Sequence, residues 1–175
     1  MATKSKENPE KNRICNVLPS SKTERDWSIS NAIAASAIAA PAAALPASVD
    51  LRTAWWGIGD QESTGSCVGW ASTDGVARYH MVKAGKLPQD GRLSPRCTWM
   101  ASKETDEFTN RPQTFIEGAG TSLKAAMEFL RKYGSVPDSL LPFHVATAMY
   151  LGNEDTFYAT AATRRIASYF NLAKN

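Results

Sequence analysis

The stretch that most restricts how this chain can fold runs from Gln61 to His80, QESTGSCVGWASTDGVARYH, where a polar, glycine-containing loop passes directly into an amphipathic segment. Val68, Ala71, Gly75, Tyr79 and Val82 recur at spacings of three and four, which predicts one face of a helix, with Gly85 as its stop. Gly69 and Gly75 each cost such a helix about 1 kcal/mol relative to alanine, so close packing against a neighbour is the expected reason for them. A central, buried helix follows. Cys67 opens it, and the unsatisfied N–H groups and partial positive charge of a helix start favour thiolate over thiol. Cys67 is therefore the candidate nucleophile.

Local signals place the other elements around this helix. Residues Met1 to Arg25 are rich in charge and poor in large apolar groups, and are expected to form a mobile arm. Ser28 or Ser30 caps a short helix through Ile29, Ile33 and Ile38, ended by Pro41. Leu45 to Arg52 reads as an extended lead-in, and Trp55 and Trp56 as core or domain-edge packing. Ser94-Pro95 starts a second helix that carries Cys97, Met100 and Ala101 inward, followed by a polar loop from Glu104 to Arg111. A third helix runs from Ser122 to Tyr133 with Leu123, Ala126, Met127, Leu130 and Tyr133 on one stripe, and Gly134 stops it. Asn153 caps a fourth, and Arg164 to Leu172 reads as a strand. The predicted fold class is α+β, mostly α, with residues 1–44 as an arm carrying a possible short helix and 45–175 as the folded domain.

Composition excludes several functions. Net charge is +3 from 20 basic and 17 acidic residues, interspersed in sign, so the basic footprint of a nucleic-acid binder is missing. The three cysteines, Cys15, Cys67 and Cys97, form no CxxC pair or zinc spacing, which predicts a reduced protein without a disulfide framework, metal or other cofactor. The apolar run Ala32 to Ala47 is mostly alanine, broken by Ser36, Pro41 and Pro46, too weak to span a bilayer and misplaced for a signal peptide. A soluble, cytoplasmic protein with no membrane partner is expected.

Leu45 to Phe143 resembles the amino-terminal, helical half of the papain-like cysteine peptidases, the C1 family. The resemblance rests on ordered pieces: LPASVDLR, the nucleophile loop DQESTGSC, the helix VGWASTDGVARYHMVKAG, LSPRCTWMASK, EGAGTSLKAAMEFLRKYG and LLPF. It implies that Cys67 is the nucleophile and that Gln61 supplies, with the Cys67 N–H, the oxyanion hole. It also implies that Gly65, Ser66, Ala119 and Gly120 line the substrate backbone. Ala119 stands where a glycine is usual, Thr64 where secreted members have a disulfide cysteine, and Val68 where an aromatic usually follows the nucleophile. The family's histidine and asparagine lie about 130 to 150 residues beyond the cysteine, which from Cys67 falls past Asn175. His80 does not replace that histidine, because its place along the same helix puts it roughly 20 Å from Cys67 at 1.5 Å per residue. His144 has no base-orienting spacing around it.

Three other readings compete. Gly65-Ser66-Cys67-Val68-Gly69 matches a nucleophile elbow, but the preceding GIGDQEST is not a buried strand, so the α/β-hydrolase context fails. Cys67 as a buried, inert thiol is the structural alternative. The functional alternative to a peptidase, itself inactive as this fragment without its histidine, is a non-catalytic binding or regulatory module on the same scaffold. The partners expected are a peptide or protein substrate, and self-association through apolar surface around Trp55, Trp56 and Trp70.

Overall fold

The computed structural model describes residues 15–40, 46–107, 120–144, 150 and 152–172, with side chains for all of these except 104–107. Its centre is one continuous helix. Cys67–Trp70 (α2) is regular, Ala71–Ala77 is a π stretch, and Arg78–Lys83 (α3) completes it before Gly85 at φ 67°. The buried face differs from the predicted stripe: Val68, Gly69, Ser72, Thr73, Ala77 and Met81 point inward, whereas Ala71 is exposed and Gly75, Tyr79 and Val82 are half-buried. Each π turn takes in an extra residue, so a stripe begun at Val68 slips sideways within the first turns. Small hydroxyl side chains fill the face that apolar counting assigned to solvent. Asp74 and Arg78 are buried on this helix as an ion pair at 3.1 Å. The guanidinium also donates to the Gln89 carbonyl at 3.0 Å and lies 5.5 Å from the Trp55 ring centroid.

Pro95–Glu107 (α4) packs across α2 and against Leu123–Lys132 (α5). Ser94 Oγ accepts from the Cys97 N–H at 3.0 Å, the expected cap, and Cys97, Met100 and Ala101 are fully buried as the sequence indicates. The polar loop expected from Glu104 begins later, since α4 runs to Glu107. Lys103 to Glu107 are polar but contain no glycine or proline to stop a helix. Residues 108–111 of that loop, like Leu45, lie outside the described residues. Ser122 caps α5 by accepting from Ala125 N, and Gly134 at φ 83° follows it. Leu123, assigned to the inward stripe, is 51% exposed, and Phe129 takes the buried place. A Cβ on Gly69 would stand 2.6 Å from Trp99 Cβ and 2.8 Å from the Pro95 carbonyl oxygen, so only glycine permits this approach of α2 to α4.

Asn153 caps Glu154–Ala162 (α6), whose Phe157, Tyr158 and Ala161 join the core of Trp99, Met100, Phe129, Val136 and Leu141. The strand expected over Arg164 to Leu172 does not form. That segment makes an isolated bridge between Asn171 and Ser28, and Ile166 N–H donates to the Leu130 carbonyl at 3.2 Å. Its aromatic and branched residues fit a strand, but among the described residues no neighbouring strand runs beside them.

Of the residues expected to form a mobile arm, 1–14 lie outside the described set and 15–25 rest on the body. Val17–Leu18 (β1) pairs in parallel with Thr121–Ser122 (β2), and Lys124 Nζ reaches the Lys22 carbonyl at 2.6 Å and Asp26 at 2.5 Å. Ile29–Ala34 (α1) carries a full capping box from Ser28 and Asn31 and ends before Ile38. The result is a helix-dominated α+β fold with a two-stranded sheet. Gly69→Ala is expected to cost about 1–3 kcal/mol through overpacking, read as a lower urea midpoint at unchanged slope. Asp74→Ala, which strands a buried guanidinium, is expected to cost about 3–5 kcal/mol in the same measurement.

Candidate active site

The loop ahead of the central helix is fixed by its own hydroxyl and amide groups. Thr64 Oγ1 donates to the Gln61 carbonyl at 2.6 Å and shares a hydrogen bond with Ser66 Oγ at 2.6 Å. Gln61 Nε2 donates to the Thr64 carbonyl at 3.2 Å, so its amide is folded onto the loop it belongs to. Thr64 thus ties the turn at a position where the family resemblance places a disulfide cysteine. Ser66 is fully buried, and its carbonyl accepts from Trp70 N–H at 3.0 Å as the first bond of the helix. Cys67 follows, partly buried, as the first helical residue.

Gly65 and Gly120 are brought to one place, and the amino-terminal arm shows how. A Cβ on Gly120 would lie 1.6 Å from the Asn16 carbonyl oxygen, and one on Gly65 would lie 3.2 Å from Asn16 Cβ. Asn16 therefore touches both glycines, and the extended segment from Asn16 into β1 occupies the groove between the cysteine loop and β2. Among the predicted backbone-lining residues, Gly65 and Ser66 lead directly into Cys67 and Gly120 meets the same Asn16 as Gly65, while Ala119 lies outside the described residues. Sequence reasoning missed Asn16 and β1, because a main-chain pairing of two residues leaves no side-chain pattern to find.

The histidines stand apart from each other. His80 is exposed on the rim of an apolar groove of about 880 Å³ floored by Ala77, Met81, Met127 and Leu130. His144 is exposed beside the cysteine loop, its Nδ1 3.9 Å from Glu62 Oε2. Phe143 next to it anchors the loop end against Trp70 at a centroid distance of 5.0 Å, and its carbonyl accepts from Arg96 at 2.6 Å. Burial lifts the Asp138 carboxyl above its ordinary value, with Arg92 opposing the shift. Burial pushes the Cys97 thiol up to about 12, outweighing hydrogen bonds with Val136 and Ser135. Trp55 and Trp56 are half-buried and stack at 6.4 Å, both against Tyr79. Among the described residues no cluster of three or more His, Cys, Asp or Glu side chains is arranged to hold a metal, and no helix is long and apolar enough to cross a membrane.

No family model matches the sequence, and no curated protein matches it. The structure is similar to the crystal structure of xylellain, a cysteine protease from Xylella fastidiosa, with a TM-score of 0.64 at 19% sequence identity. The match covers 99% of this chain and 63% of xylellain, so the chain spans less than two thirds of that protein's length. At that identity the likeness establishes a shared fold with a cysteine protease.

Proposed function

We propose that this chain is the nucleophile-bearing, helical portion of a papain-like cysteine peptidase, with Cys67 as nucleophile and Gln61 as oxyanion donor. The observation that carries this reading is the groove beside Cys67, where Gly65 and Gly120 leave room for an extended polypeptide and hold one, the chain's own Asn16 to Leu18. A peptide seated there presents a carbonyl to the thiolate. Attack forms a tetrahedral oxyanion, which the Cys67 N–H and Gln61 Nε2 stabilise. Collapse expels the amine and leaves an acyl-thioester that water hydrolyses. Gln61 must exchange its bond to the Thr64 carbonyl for one to the oxyanion. The thiol proton needs a base. His80 is too far along the helix and His144 stands against Glu62, so this reading takes the base from outside the present sequence, where the family spacing puts it.

The second reading, a non-catalytic module that binds extended peptides, is favoured by the same Gln61 bond, which engages the amide with its own loop. Kinetics separate the two. In the natural protein, a fluorogenic peptide should be hydrolysed and a peptidyl epoxide should label Cys67, with Cys67→Ala abolishing both. Gln61→Ala should lower kcat about 100- to 1,000-fold with peptide affinity little changed. Peptide binding without turnover or Cys67 labelling would establish the module. Iodoacetamide at neutral pH should modify native Cys67 faster than Cys15 and leave Cys97 untouched until the protein unfolds, read by mass spectrometry of digested peptides. Equal rates at all three thiols would remove the case for an activated nucleophile.

A further inference from the structure

The arm carries a second thiol one residue before its contact with the cysteine loop. Cys15 is exposed and immediately precedes Asn16, the residue that meets Gly65 with its side chain and Gly120 with its carbonyl. Gly65 is separated from Cys67 by Ser66 alone. One peptide unit spans about 3.8 Å between Cα atoms, and a disulfide bridges Cα separations of about 4.4 to 6.8 Å. Cys15 precedes the β1–β2 ladder, which begins at Val17, so the ladder does not fix its orientation. The third thiol, Cys97, is fully buried in the helical core and takes no part.

We propose that Cys15 is a redox modification site, the resolving thiol for an oxidised Cys67, and that a hydroperoxide thereby locks the arm into the groove as a Cys15–Cys67 disulfide. The inference rests on Cys67 being the reactive thiol of the preceding reading. In the first step the Cys67 thiolate attacks hydrogen peroxide, the O–O bond breaks, and Cys67 sulfenic acid and hydroxide form. In the second the Cys15 thiolate attacks the sulfenic sulfur, the S–S bond forms and the S–O bond breaks. The hydroxide lost there takes up a proton. Overall, two thiols and one peroxide give one disulfide and two waters. The bridge ties down Asn16, which already covers both glycines, so a peptide cannot enter until a thiol reductant reopens the site. It also halts Cys67 before the irreversible sulfinic stage.

The test uses the full chain, reduced and then treated with stoichiometric hydrogen peroxide, with remaining thiols blocked and peptides mapped without reduction. The expected product joins the Cys15 and Cys67 peptides within one chain, in a yield independent of protein concentration. It should abolish iodoacetamide labelling of Cys67, and dithiothreitol should restore that labelling. In a parallel arm with excess hydrogen peroxide, Cys15→Ser should lose the cross-link and let the Cys67 sulfenic acid consume a second peroxide and proceed to sulfinic acid. Equal sulfinic acid in the wild type and Cys15→Ser, or cross-links formed only between chains, would overturn the lock while leaving Cys67 reactive. Inertness of Cys67 to both peroxide and iodoacetamide in Cys15→Ser would overturn the nucleophile assignment and the lock with it.

Discussion

The approach of the central helix to α4 at Gly69 sets the position of everything that bears on the groove. With Trp99 Cβ and the Pro95 carbonyl oxygen at 2.6 and 2.8 Å from where a Cβ would stand, the two backbones are in direct contact two residues after Cys67. A side chain of any size would lever the start of the helix outward. The same contact explains why the inner face of the helix carries Ser72, Thr73 and Ala77, since short side chains keep the two axes close along the length of the crossing. Cys67 is thereby held at the edge of a rigid body.

Polar groups then connect that body to the groove. Ser94 does this twice: its Oγ accepts from Cys97 N–H to start α4, and donates to the Leu141 carbonyl at 2.6 Å. Its N–H also donates to the Val136 carbonyl, so the segment after α5 is stitched to the start of α4. Arg96 extends the stitching to Phe143, whose ring meets Trp70 one turn after Cys67. Buried hydrogen bonds of this kind are costly to break singly, and they specify one arrangement of the loops around the helical core.

What could be read from the sequence follows from how local the deciding interaction is. Ser94, Ser122 and Asn153 act on backbone groups three residues away, and Gly85 and Gly134 act on their own φ, so these helix limits were legible. The inner face of the central helix was not, because a π stretch depends on packing with α4 and shifts every later residue around the axis. Leu123 misled for a related reason: it opens α5, where the helix leaves β2, and Ala125 and Phe129 join the expected Ala126 and Leu130 in facing the core. The strand assigned to 164–172 failed because strand propensity reports a fit to a sheet that must be supplied from elsewhere. Gln61, Gly65, Ser66 and Cys67 were legible as a loop and helix start, whereas the arm that lies beside them pairs through its main chain.

Two thiols of this chain show how little residue type alone decides. Cys67 and Cys97 each sit in the first turn of a helix, each preceded by a serine one or three positions earlier. Ser94 faces inward, so Cys97 enters the core among Trp99, Met100 and Leu141, and desolvation holds it protonated. Ser66 is equally buried, yet it bonds Thr64 across the loop, and that turn leaves Cys67 partly exposed next to Gly65, which Asn16 meets. Both cysteines open a helix, but burial at Cys97 raises the cost of charge there. Burial thus separates the two thiols: Cys67 stays partly exposed at the start of the central helix, whereas Cys97 is sealed in the core beyond the Gly69 contact.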